Sequence, residues 1–126
     1  KDFILAHSQA SGPGLRVVMT RDPTNFRDCY IPDRLEFKDS SVDEIVASLK
    51  QRPLTDSRVA VLGGGAVYSA FLNAGLLDEF WITLEPQLFG SGTPIATEPS
   101  LATLTLKESI QLGPSTLLLK YKCAKS

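Results

Sequence analysis

Two short stretches of this chain carry residue types suited to holding an anion. The first is Gly63-Gly64-Gly65, which follows the apolar run Val59-Ala60-Val61-Leu62. After it, Val67, Ala70, Phe71 and Ala74 recur at the spacing of one helix face. Gly75 stands where a glycine commonly ends a helix. Residues 58–75 therefore read as strand, glycine turn, helix. A helix that starts from a bare glycine turn leaves N–H groups unpaired and the positive end of its dipole outward, which suits phosphate. The same glycines are also explained by a tight strand-to-helix turn alone, and the pattern does not decide between the two. The second stretch is Thr20-Arg21, between the apolar run Val17-Val18-Met19 and Pro23. In open parallel sheets, ligands collect at the carboxyl ends of strands. A hydroxyl beside a guanidinium suits a phosphate monoester, because arginine binds it through a bidentate fork. On spacing alone, a solvated arginine in a strand-end turn explains the pair better.

The elements that position these groups follow from local signals. Residues 15–20 and 58–62 read as buried strands, and the acidic-entry segment 79–86 as a further strand. Ser41 and Glu44 form a capping box, so a helix runs from 42 to about Gln51, stopped by Pro53. A second helix is expected near 66–74, and a short one near 2–9 that Ser11-Gly12-Pro13-Gly14 breaks. The order strand, helix, strand predicts a parallel pairing of 15–20 with 58–62 or its neighbour. Tyr30-Ile31-Pro32 and Leu35-Glu36-Phe37 suit a short strand pair or a sheet edge. Thr103, Thr105 and the leucines around them favour an extended strand, and Leu112-Gly113-Pro114-Ser115 a hairpin turn before 116–122. The 126 residues suffice for one domain with one core.

Composition narrows the function. There are 13 basic and 14 acidic residues and no basic stripe, so nucleic acid is an unfavoured partner. No apolar run approaches the ~18 residues of a membrane span. Cys29 and Cys123 lie far apart, and reduced thiols of a cytosolic protein are the favoured reading over a disulfide. One histidine and no Cys/His cluster argue against a metal site.

Four blocks in order, Gly-Gly-Gly-Ala-Val-Tyr, Phe-Leu-Asn-Ala-Gly-Leu-Leu-Asp-Glu, Ile-Thr-Leu-Glu-Pro and Phe-Gly-Ser-Gly-Thr-Pro, resemble the dihydrofolate reductase superfamily. The resemblance is closest to the reductase domain of riboflavin biosynthesis and covers nearly the whole chain. It implies an α/β fold: a dihydrofolate reductase-like mixed sheet with a parallel core, flanking helices and a C-terminal antiparallel hairpin. It implies NADPH as cofactor. Thr20 and Arg21 then meet its 2′-phosphate. Gly63, Gly64, Gly65, Ala66 and Val67 form the turn at the pyrophosphate, and Tyr68 lies near the nicotinamide. Tyr68 is equally explained by packing on the first helical turn. The backbone carbonyl of Leu62 and the side chain of Thr83 face the substrate. The family's cis peptide would fall at Gly63-Gly64, where the missing Cβ best tolerates a bond costing ~3 kcal/mol.

The resemblance also marks a departure. The proton-donating carboxylate of dihydrofolate reductases lies on their first helix. If Lys1-Asp2-Phe3 ends the family's Gly-Arg-Lys-Thr-aromatic segment, the resemblance implies that this helix, the first strand and the start of the second strand are lacking here. The catalytic acid is therefore unassigned, and Asp78 and Glu79 read as helix-end or salt-bridge residues. The 126 residues by themselves are expected to be catalytically silent, while still able to bind NADPH. The implied reaction is hydride transfer to a ribosylaminopyrimidine 5′-phosphate, a small-molecule substrate. Dihydrofolate reduction and a non-catalytic nucleotide-binding member of the fold stay open. So do a homodimer and pairing with a missing N-terminal segment.

Overall fold

The structure, a computed structural model, describes residues 14–53, 58–97 and 102–124. The expected helix at 2–9 and most of its breaker lie outside them. The chain divides into two compact units, Lys1–Ile45 and Val46–Ser126.

In the first unit, β1 (Arg16–Met19) pairs in parallel with β2 (Leu35–Lys38), Arg16 opposite Leu35 and Met19 opposite Lys38. The N–H of Thr20 donates to the carbonyl of Lys38 at 3.0 Å, which carries the ladder one residue past β1. A 3₁₀ segment, Pro23–Cys29, connects the strands. Pro23 at its start suits the fixed proline φ and lacks a donor that would go unpaired there. Phe26 stacks on Phe37 with ring centroids 4.8 Å apart and planes within 6°. A tight turn then delivers the chain to β2. Ile31 and Leu35 exchange backbone hydrogen bonds of 2.9 and 2.8 Å, and Asp33 takes φ 57°. Aspartate enters that left-handed region more readily than most side chains. Of the two segments expected to be a strand pair, 35–37 is strand, whereas Ile31 makes a single bridge.

Helix α1 (Val42–Lys50) carries the predicted capping box in full. The N–H of Glu44 donates to Ser41 Oγ at 3.3 Å, and the N–H of Ser41 donates to Glu44 Oε2 at 2.9 Å. Val42, Ile45 and Leu49 form its buried face.

The second unit holds α2 (Gly65–Asn73), β3 (Glu79–Leu84), β4 (Leu104–Gln111) and β5 (Leu117–Cys123). The strands form an antiparallel sheet in the order β3-β5-β4. Helix α2 ends in a Schellman motif: Gly75 N–H donates to Leu72 O at 3.0 Å and Leu76 N–H to Phe71 O at 3.0 Å, with Gly75 at φ 65°. The β4–β5 turn closes with Leu112 N–H donating to Thr116 O at 3.0 Å. Pairing register puts Phe80, Ile82, Leu119 and Tyr121 on one face of the sheet, and Glu79, Trp81, Lys120 and Lys122 on the other. Glu79 pairs with Lys107 at 2.8 Å and accepts from Trp81 Nε1 at 3.0 Å, the salt-bridge role expected for it. Asp78 O accepts the N–H of Cys123 at 3.0 Å.

Parallel and antiparallel pairing are both present, with helices, as the α/β expectation requires. Three expectations are corrected. Residues 58–62 form no strand, and Val59 and Leu62 are 54% and 85% exposed. Fixing a residue's backbone costs ~1–2 kcal/mol, which apolar burial must offset, and these two side chains are not buried. The parallel partner of β1 is accordingly β2, not 58–62. Finally, no described peptide bond is cis, so Gly63-Gly64 is trans. Gly64 instead stands as N-cap in an extended conformation, φ −80° and ψ 176°, which opens the helix without a cis bond.

Candidate functional site

The expected site residues fall in both units. In the first, Thr20 and Arg21 follow directly on the carboxyl end of β1. Thr20 Oγ1 accepts the N–H of Asp22 at 3.3 Å, which leaves its own hydroxyl proton free to donate. Arg21 is exposed. The neighbouring carboxylate of Asp22 is engaged within the 3₁₀ turn. It accepts from Thr24 Oγ1 at 2.6 Å and from Asn25 Nδ2. The Thr24 hydroxyl, followed by weaker backbone and side-chain donors at 24 and 25, holds the Asp22 carboxyl below the usual carboxylate range. Asp22 thus stays ionised and turned to its own donors, and the Arg21 guanidinium has no ion-pair partner among the described residues. An open groove of about 310 Å³ follows, lined by Pro23, Thr24, Phe26, Arg27, Tyr30 and Phe37. It offers aromatic faces, the Tyr30 phenol and one guanidinium.

In the second unit, residues 62–68 are brought together at the start of α2. No side chain caps this helix. The Gly64 carbonyl accepts from Val67 N–H at 3.0 Å and Tyr68 N–H at 3.2 Å. The N–H groups of Gly65 and Ala66 precede those first intrahelical bonds, as at any helix start. The three glycines stand in three different surroundings. A Cβ at Gly63 would lie 2.8 Å from the Val67 Cβ, one at Gly65 would lie 2.7 Å from Thr97 Cγ2, and one at Gly64 would meet nothing within 4 Å. Open space at Gly64, beside uncapped N–H groups, fits a phosphate oxygen. Each stretch taken by itself suits an anion: a guanidinium and a hydroxyl at Thr20-Arg21, and an open helix start at Gly64 to Ala66. Tyr68 is half-buried, Leu62 is exposed just ahead of the turn, and Thr83 is exposed on β3.

One pair of residues escaped the sequence reading. Ser69 and Thr97 are joined by a hydrogen bond over 28 positions. A serine on a helix and a threonine in a loop carry no local signal for that. No group of three His, Cys, Asp or Glu side chains suited to a metal occurs among the described residues. No helix among them is long and apolar enough to cross a membrane.

Comparison with known proteins bears on the family and the fold. Residues 8–118 match the family model of the RibD C-terminal domain. The uncharacterised Bacillus subtilis (strain 168) protein YwjB is 31% identical over 96 residues, covering 75% of this chain and 54% of YwjB. YyaP of the same strain, also uncharacterised, is 32% identical over 65 residues, covering 52% of this chain and 34% of YyaP. The chain thus spans about half the length of one curated relative and a third of the other. Among solved structures, a protein of Shewanella sp. PV-4 provisionally named for riboflavin biosynthesis superposes with a TM-score of 0.66 at 22% identity, covering 98% of this chain and 68% of its own. A pyrimidine reductase-like protein of Corynebacterium diphtheriae also gives 0.66, at 16% identity, covering 87% of this chain and 50% of its own. At such identities the two structures bear on the fold alone.

Proposed function

This chain belongs to the RibD C-terminal domain family, and on that premise we propose that it serves an NADPH-dependent, cytosolic reductase acting on a ribosylaminopyrimidine 5′-phosphate. The observation that carries the proposal is the family match across residues 8–118, which takes in both anion-suited stretches. When bound, NADPH supplies the hydride. The chain's own residues bind and orient. Arg21 and Thr20 hold the 2′-phosphate through charge-assisted hydrogen bonds. The N–H groups at the start of α2, reached from the open side of Gly64, hold the pyrophosphate, with Ala66 and Val67 in the same turn. Tyr68 borders the nicotinamide. The carbonyl of Leu62 and the hydroxyl of Thr83 are the substrate contacts in this reading.

The test is loss of the nicotinamide absorbance band when the whole protein that carries this chain is mixed with NADPH and a ribosylaminopyrimidine 5′-phosphate, beside a parallel run with dihydrofolate. Loss with the pyrimidine alone is the expected result. Loss with dihydrofolate alone would transfer the assignment to a folate reductase. A second reading, a nucleotide-binding protein without turnover, is favoured by one observation: Leu62 is 85% exposed and lies in no strand, so no ladder fixes its carbonyl toward a substrate. Tight NADPH binding with no absorbance loss on either substrate would select it.

A further inference from the structure

Residues 94–97 lie against the first turn of α2, and two side-chain choices bring them there. The N–H of Thr97 donates to Ser69 Oγ at 2.9 Å, and Ser69 is 1% exposed. One turn earlier on the same helix face, Gly65 lets the loop backbone approach. A Cβ there would stand 2.7 Å from Thr97 Cγ2, 3.1 Å from the Pro94 carbonyl oxygen and 3.3 Å from that of Ile95. The start of α2 is therefore asymmetric. Its Gly65 side is closed by a loop that presents two carbonyl oxygens, and its Gly64 side is open. Carbonyl oxygens disfavour an approaching anion, whereas the uncapped N–H groups and the helix dipole favour it.

We propose that Ser69 and Gly65 are positioning residues, which hold residues 94–97 as a wall on one side of the α2 start and so direct the pyrophosphate of a dinucleotide to the Gly64 side. This rests on the NADPH reading above. It gives Gly65 a role distinct from that of Gly64: Gly64 leaves room for the ligand, and Gly65 leaves room for the wall. Replacing Ser69 by alanine removes the acceptor for the Thr97 N–H and loosens the wall. Replacing Gly65 by alanine pushes the wall outward. The closest obstacle is then the Thr97 Cγ2 methyl, so Thr97→Ser in the same chain relieves most of the clash.

The experiment is calorimetric titration of the chain and its variants with NADPH and with 2′-AMP, which carries the 2′-phosphate but no pyrophosphate. Melting temperatures are recorded alongside. Ser69→Ala and Gly65→Ala are each expected to raise the NADPH dissociation constant roughly three- to tenfold, the size of one displaced hydrogen bond, and to leave that for 2′-AMP unchanged. The double variant Gly65→Ala/Thr97→Ser should recover most of the loss. Unchanged NADPH affinity in both single variants, or equal weakening of NADPH and 2′-AMP, overturns the inference and leaves the NADPH reading standing. Should Ser69→Ala not fold, Gly65→Ala and its rescue decide by the same criteria. An unmodified chain that binds no NADPH overturns the reading and the inference together.

Discussion

At the scale of single residues, three adjacent glycines have separable reasons, and each predicts a different substitution. Gly64 adopts φ −80° and ψ 176°, which any residue can take, and a Cβ there would meet open space. Gly64→Ala should therefore change folding stability by less than ~1 kcal/mol while weakening NADPH, because the added methyl occupies the side assigned to the pyrophosphate. Gly63→Ala should destabilise by about 1–3 kcal/mol, since its Cβ would lie 2.8 Å from the Cβ of stiff, branched Val67. Denaturant titration of the two variants separates these outcomes, and equal destabilisation would contradict the assignment. Cys123 supplies a pH-dependent expectation. Burial, aided by the Asp78 carboxylate, raises its thiol above the ordinary range. The folded chain then holds that proton to higher pH than the unfolded chain does. This contribution to stability is complete below the unfolded pKa and declines as pH rises through it toward the folded one. The same shift leaves little thiolate in the folded state at mildly alkaline pH. Alkylation of Cys123 should be slow in the native chain and fast after denaturation, and equal rates would show the site to be open.

At the scale of elements, the legible parts were those specified by local chemistry. Ser41 and Glu44 announced α1 by their spacing, and both reciprocal hydrogen bonds are present. Gly75 announced the end of α2, and it takes the left-handed conformation that a Schellman motif requires. Leu112-Gly113-Pro114-Ser115 announced the hairpin that joins β4 to β5. Ser41→Ala is expected to cost about 0.5–2 kcal/mol of stability through loss of the cap, read as a lower denaturant midpoint at constant slope. A midpoint unchanged by that substitution would mean that the start of α1 contributes nothing to folding. An apolar run reports what a segment can bury and is silent on whether anything covers it, which is why residues 58–62 read as a strand that the structure does not form. The parallel neighbour of β1 was missed for a related reason. Leu35-Glu36-Phe37-Lys38 is short and half polar, and its pairing is fixed by the turn through Asp33 rather than by its own pattern. The tie between Ser69 and Thr97 joins α2 to a loop 28 positions away, so nothing in either stretch predicts it.

At the scale of the molecule, each of the two compact units carries one anion-suited place, and the chain belongs to the RibD C-terminal domain family. If NADPH is the cofactor, the 2′-phosphate is the group that distinguishes it from NADH, and Arg21 is the residue proposed to read it. A charge-assisted contact of this kind contributes about 1.5–3 kcal/mol, a preference of roughly ten- to a hundredfold. The most direct measurement is therefore the pair of dissociation constants of the unmodified chain for NADPH and NADH at one salt concentration, with the same pair for Arg21→Ala. Tighter NADPH binding by about that ratio is expected in the unmodified chain, and equal binding in the variant. Equal dissociation constants for the two cofactors in the unmodified chain would contradict the role proposed for Arg21.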